Sequence, residues 1–231
     1  MKSLILFLLF TVTFKLACYT QIKAIYNQAD YPFWLYLPSD SILKTHPPVL
    51  IFLHGRSLSG TDLSLVKKYG IIHEIEQGRE VPAIVIAPQV LAGKSWEPKK
   101  ILSVLRFVQE TFETDTNRVY VAGMSLGGYG ALSFAGAYPS IVAAGVALCG
   151  GGNINDGCNL SQVPLWIQHG TLDKSVPISE SEKIVTAIKN CNGGENLKYT
   201  RLVGKDHGDL ERIFRTDEMY DWLFQFTKEE E

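Results

Sequence analysis

The sequence has no surplus of positive charge: 22 lysines and arginines face 24 aspartates and glutamates, a formal net charge of -2 at pH 7. Proteins that bind nucleic acid carry a basic patch to neutralise phosphates, so nucleic acid is not expected among the partners. Cysteine is scarce, at four residues, and no CxxC or Cys/His spacing occurs, so no metal site is expected. Histidine, at five residues, leaves few candidates for any acid–base role. No apolar run is long enough to cross a bilayer comfortably, so no membrane span is expected. Internal repeats, low-complexity tracts and long linkers are lacking, and 231 residues suit one domain around one core.

The apolar stretch that does stand out is at the front, where Lys2 precedes "SLILFLLFTVTF" and Lys15 follows it. It is short for a span but has the make-up of the central region of a secretory signal. Export is therefore expected, with residues 1–20 as signal peptide and a mature chain from Gln21; a buried first strand is the alternative. A cut after Thr20 places small side chains at Cys18 and Thr20. Lipid anchoring through Cys18 is less favoured, because Lys15 stands where a small or aliphatic residue is wanted. The remaining Cys149, Cys158 and Cys191 are odd in number, so at most one pair can form within the chain. Cys149 ends an apolar run and reads as a buried thiol, whereas Cys158 and Cys191 lie in polar sequence.

Short apolar runs alternate with longer amphipathic ones, the pattern of helices packed over a mostly parallel sheet. Strands are expected at Phe33 to Pro38, Pro48 to His54, Pro82 to Pro88, Arg118 to Gly123, Val142 to Gly150, Pro164 to Gly170 and Lys198 to Val203. Several are apolar without alternation, as strands covered on both faces are. Helices are expected at Pro98 to Glu113, with Ile101, Leu102, Leu105, Val108 and Phe112 on one face, and from Leu126 to Tyr138, stopped by Pro139. Two more are expected at Ser179 to Lys189, where Ser179 and Glu182 fit a capping box, and at Thr216 to Phe226.

The chemistry is concentrated in "VAGMSLGGYGAL", where Ser125 is flanked by Gly123 and Gly127. With 20 glycines in 231 residues, chance alone gives roughly 0.1 matches to Gly-x-Ser-x-Gly, so the pattern needs its context. A strand precedes it and a helix follows. Ser125 thus sits on a sharp turn where small neighbours are required and a helix N-terminus favours developing negative charge. A serine hydroxyl needs a base and a group to orient that base. His207, in "GKDHGD", is the base candidate because no other histidine lies beyond the expected acid. Asp173, in "HGTLDKSVP" past the end of a strand, is the preferred acid; Asp206, Asp209 and Asp156 are rivals, the first two handicapped by lying so close to the histidine in sequence. For an oxyanion, two backbone N–H donors are expected, from Leu126 and from Arg56. The Arg56 guanidinium could instead meet an acidic substrate group, although an exposed loop arginine is the plainer reading. His54 reads as a structural residue fixing the Arg56 loop, His169 as a packed core residue, and His46 and His73 as surface residues. Trp96 is placed to stack on an aromatic acyl group or a sugar, with packing on the scaffold as the competing reading.

With the nucleophile turn, "FLHGRS", "AIVIAPQ" and "IQHGTLDKSVP" in place, the sequence resembles the α/β-hydrolase superfamily over essentially the whole of residues 21–231. Within it the chain is similar to small carboxylesterases of the phospholipase/carboxylesterase and dienelactone-hydrolase branches, including secreted feruloyl and acetylxylan esterases, and to the catalytic domain of prolyl-oligopeptidase-type peptidases. The resemblance implies an α/β fold with helices on both faces of a mostly parallel sheet, and an esterase with a Ser125, His207, Asp173 triad that needs no cofactor. His54-Gly55-Arg56 departs from the His-Gly-Gly-Gly of hormone-sensitive-lipase-type enzymes. No stretch between the elbow strand and Asp173 is large enough for a lid, so an open pocket is expected, suited to an acyl group on a bulky or polymeric alcohol such as a plant cell-wall polysaccharide. Two alternatives stand beside this: a peptidase using the same residues, and a non-catalytic binding protein on the same fold. The sequence does not fix the oligomeric state.

Overall fold

A computed structural model of the chain describes residues 21–191 and 194–228, so the expected signal segment and Cys18 lie outside the described residues. Eight strands form one sheet: β1 (Gln21–Ile25), β2 (Phe33–Leu37), β3 (Val49–Leu53), β4 (Ile84–Pro88), β5 (Val119–Met124), β6 (Val142–Leu148), β7 (Leu165–Gly170) and β8 (Leu197–Leu202). Their spatial order is β1-β2-β4-β3-β5-β6-β7-β8. β2 runs antiparallel to β1 and β4, and every other neighbouring pair is parallel.

The unbroken apolar runs have a simple cause. In β3 the side chains of Val49, Ile51 and Leu53 enter one core while Leu50 and Phe52 enter a second on the opposite face. Val119 and Val121 of β5 divide from Tyr120 and Ala122 in the same way. A strand with a core on each side has no polar face to alternate with. The helices are α1 (Asp40–Leu43), α2 (Ile71–Glu76), α3 (Pro98–Thr111), α4 (Leu126–Ala137), α5 (Gly157–Leu160), α6 (Ser179–Asn190) and α7 (Asp217–Phe224). Ile101 and Leu105 of α3, Leu132 and Phe134 of α4 and Ile184 of α6 fill the first core. The second is closed by α2, α7 and two 3-10 segments, Leu63–Lys67 and Gly208–Arg215.

Pro98 occupies the first turn of α3, as its fixed φ suits. The expected capping box on α6 does not form. Ile178, before the helix, already has helical backbone (φ -54, ψ -27), so Ser179 is the first helical residue and no side chain caps the end. Glu182 reaches Arg201 instead, at 3.5 Å. A disulfide joins Cys158 in α5 to Cys191 at the end of α6, and Cys149 is a free, buried thiol.

Chain order reverses around β3, which has β4 on one side and β5 on the other. The loops leaving β3 and β5 therefore diverge and open a crevice at the C-terminal edge of the sheet, where sites in such sheets form. Between β6 and β7 the described chain adds only the 3-10 turn Ile154–Asp156 and α5, so nothing of lid size lies there.

Candidate active site

Ser125 stands between β5 and α4 with φ 58 and ψ -121. A non-glycine residue held there stores about 1–3 kcal/mol of backbone strain, which persists only where the surroundings over-determine it. They do so here. The Ser125 N–H donates to the Leu148 carbonyl at 2.8 Å, and its carbonyl accepts the Tyr129 N–H at 3.0 Å. A Cβ on Gly123 would overlap the Gly127 carbonyl, and one on Gly127 would overlap the Leu53 carbonyl. Both flanking glycines are thus steric necessities of the turn.

His207 Nδ1 lies 2.7 Å from Asp173 Oδ2. The other carboxylate oxygen accepts the N–H groups of Ser175 at 2.8 Å and Val176 at 2.9 Å. Burial works to raise the Asp173 carboxyl, but the Val176 N–H, the His207 ring and the Ser175 N–H outweigh it, and its pKa lies below the ordinary carboxylate value. The rival acids are engaged elsewhere. Asp206 and Asp209 accept each other's backbone N–H, at 3.0 and 3.1 Å, and the Asp156 side chain packs against Gly136, near the far end of α4. Ser125 and His207 line one cavity of about 1080 Å³, although no hydrogen bond joins them among the described residues. Resting enzymes commonly show such loose geometry before substrate draws the groups together.

The N–H groups of Leu126 and Arg56 have no acceptor among the described residues and stand at the starts of α4 and of the 3-10 turn Arg56–Leu58. His54 is fully buried and braces the Arg56 loop: Nδ1 donates to the Gly55 carbonyl at 2.7 Å, and Nε2 accepts the Val90 N–H at 3.3 Å. Burial drives its pKa down to about 4, so the ring is neutral near neutrality. Trp96 lines the cavity but is only 6% exposed. Its indole N–H donates to the His54 carbonyl, and its ring meets His54 and Tyr31 edge to face. Scaffold packing occupies most of that side chain.

Two features of the site have no signal in the sequence pattern, and a third has a faint one. Tyr69 Oη accepts the Gly55 N–H at 3.0 Å and so fixes the Arg56 loop from the second core. Tyr129 donates to Glu180 at 3.3 Å on the cavity wall. His169 lies 3.3 Å from Asp173 Oδ2, a contact that the i, i+4 spacing in "HGTLD" could have suggested. It is buried as expected, but among polar partners. Cys149 places its thiol within 4.8 Å of the Asp173 and His207 donor atoms. Burial pushes that thiol up to about 12, so it stays protonated and is no rival nucleophile.

The model of the Esterase family matches residues 26–219. The chain belongs to the Esterase family. Among solved structures, this Esterase-family chain is similar to a thermostable esterase at 25% identity and a TM-score of 0.75, over 90% of this chain and 63% of that one. It therefore spans less than two thirds of that enzyme's length. A mutant feruloyl esterase module from Clostridium thermocellum, complexed with sinapinate, matches with a TM-score of 0.66 at 14% identity, over 92% of this chain and 90% of that one. Dipeptidyl peptidase 4 from Porphyromonas gingivalis matches with a TM-score of 0.71 at 14% identity, over 90% of this chain and 36% of that one. The last two likenesses speak for the fold alone. No curated protein matches the chain. The fold is that of the α/β-hydrolases, as the sequence resemblance implies.

Proposed function

We propose that this protein is an exported serine carboxylesterase that works through an acyl-enzyme. The observation that carries the reading is that Ser125, on a strained elbow, and His207, hydrogen-bonded to the buried Asp173, line one open cavity. Ser125 Oγ attacks the ester carbonyl while His207 Nε2 takes its proton. Asp173 holds the imidazole with Nδ1 protonated and offsets the positive charge that forms. The carbonyl oxygen, now negative, receives the N–H groups of Leu126 and Arg56. His207 returns the proton to the leaving alcohol, and water repeats the sequence on the acyl-enzyme.

The substrate reading is an acyl group on a bulky, hydroxyl-rich alcohol, with plant cell-wall polysaccharides as the candidate class. Two features support it. No lid-sized insertion separates β6 from β7, and hydrogen-bonding side chains such as Ser95, Ser133, Asn153 and Tyr129 line the cavity. Hydrolysis of p-nitrophenyl acetate, methyl ferulate and a Gly-Pro anilide by the chain from Gln21 tests this, with Ser125→Ala as blank. Turnover of the esters and an inert anilide are expected, and the acetate-to-ferulate ratio measures room for an aromatic acyl group. An anilide cleaved faster than either ester would make the enzyme a peptidase, and a chain inert to all three and to a fluorophosphonate would make it a binding protein. Recovery of a chain beginning at Gln21 from the exterior of expressing cells tests export.

A further inference from the structure

His169 stands beside the end of β7, four residues before Asp173, and is fully buried. Its Nε2 lies 2.9 Å from the Val176 carbonyl oxygen and 3.3 Å from Asp173 Oδ2. Both oxygens are acceptors, so Nε2 carries a hydrogen directed between them. Its Nδ1 lies 2.6 Å from Ser181 Oγ in α6, whose hydroxyl lies 2.6 Å from the Gly150 carbonyl. Gly150 packs against Gly128 in the first turn of α4, close behind Ser125. One imidazole thus links β7, the turn that carries the acid, the start of α6 and the loop on which the nucleophile helix rests.

We propose that His169 is a positioning residue for the acid: its Nε2–H holds the Asp173 carboxylate and the Val176 carbonyl at the depth from which Oδ2 meets His207. The inference rests on the acyl-transfer reading for its kinetic consequence, but not for its structural one. Asp173 Oδ2 receives two imidazoles. His207 approaches from the cavity, where its side chain is 25% exposed, and His169 approaches from the interior, where its side chain is 0% exposed. Among the described residues, the Cys149 thiol is the other titratable group whose donor atom lies within 4.8 Å of those of Asp173 and His207. The carboxylate itself is anchored on Oδ1 by the Ser175 and Val176 N–H groups, and Val176 is the residue whose carbonyl His169 grips. Loss of the imidazole frees the turn and the carboxylate together.

The test compares His169→Leu, His169→Gln and Ser181→Ala with the unaltered chain. Each is followed by p-nitrophenyl acetate kinetics, by thermal unfolding and by the downfield proton signal of His207 Nδ1. In His169→Leu kcat should fall about 10²-fold, the scale of a misplaced catalytic group, with KM little changed and the downfield signal lost. His169→Gln, whose amide N–H reaches the same two oxygens, should recover most of kcat and the signal. Ser181→Ala should lower kcat less than His169→Leu does. Unaltered kcat in His169→Leu, or an intact signal there, overturns the proposal, as does failure of Gln to restore either. If His169→Leu does not fold, the other two decide: an active Gln variant with a slowed Ser181→Ala supports the proposal, and a full-rate Ser181→Ala refutes it. The proton signal needs no substrate, so it reads the Asp173–His207 contact even in a chain that hydrolyses no ester, where only the functional reading would have failed.

Discussion

Acidification should weaken the fold through His54 before it protonates most carboxylates. The ring is buried without exposure and has a pKa of about 4, against the ordinary 6.5. An unfolded chain takes up a proton at His54 as pH falls through 6.5, whereas the folded chain does so only near 4. Between those values the unfolded state binds more protons, so the stability from a neutral His54 is complete above 6.5, drains away on the way down and levels off below 4. At about 1.36 kcal/mol per pH unit, the gap from 6.5 to about 4 is worth about 3 kcal/mol. That is a large part of the ~5–15 kcal/mol that usually holds a domain together. Urea unfolding from pH 7 to pH 4, on the unaltered chain and on His54→Gln, isolates the effect, because all other groups titrate in both. The unaltered chain should lose about 3 kcal/mol more than the variant over that range. A difference between the two that stays flat with pH would refute the reasoning. The proton enters at Nε2, so it also displaces the Val90 N–H that this nitrogen accepts, while Nδ1 still donates to the Gly55 carbonyl.

Ser125→Ala should lower ester turnover about 10⁶-fold and abolish fluorophosphonate labelling while leaving thermal unfolding near that of the parent; a tenfold loss would be far too small. Asp173→Asn should cost about 10⁴-fold in kcat, measured on p-nitrophenyl acetate. The same variant should flatten the stability curve at acid pH, since a carboxylate with a lowered pKa contributes above its unfolded value and loses that contribution as pH falls through the folded one. Gly127→Ala should destabilise by about 1–3 kcal/mol or more and cripple turnover, because its Cβ collides with the Leu53 carbonyl. Paired replacement of Cys158 and Cys191 by serine, which opens a link across 33 positions, should lower unfolding stability by about 3–4 kcal/mol while leaving turnover of the folded chain intact.

Much of this was legible in the sequence because the relevant constraints are local. Gly123 and Gly127 are written into the chain by the backbone atoms that a side chain would strike, so the elbow could be read without the fold. Strands β2 to β7 announce themselves as largely apolar runs with proline or glycine in or beside them, whereas β8, "LKYTRL", mixes polar with apolar residues as a half-covered edge strand does. β1 does not announce itself: "QIKAI" is short, and its place at the sheet edge comes from pairing with β2. His207 is read from chain order alone, and its Nδ1 lies 2.7 Å from Asp173 Oδ2. What could not be read is what arrives from afar. Tyr69 reaches Gly55 across 14 positions and Tyr129 reaches Glu180 across 51. The α6 cap failed for a related reason, since the backbone entering from the acid turn, and not the Ser/Glu spacing, decides where that helix begins.

The strand order gives the three residues of the proposed triad unequal footing. Ser125 is carried by β5, which has neighbours on both sides, whereas His207 hangs from β8, the last strand, paired on one side only. Its tether is Phe214, whose ring meets Phe52 edge to face at 5.1 Å, together with the Thr171–Leu202 and Leu172–Lys205 bonds that tie the end of β8 to the acid turn. Edge elements open at lower free energy than the centre of a sheet. On warming, the base should therefore part from the nucleophile while most of the sheet is still closed, so that catalytic failure precedes melting and is reversed on cooling. The heat limit of the proposed activity would then be set at the rim of the sheet, well below the temperature at which the middle gives way.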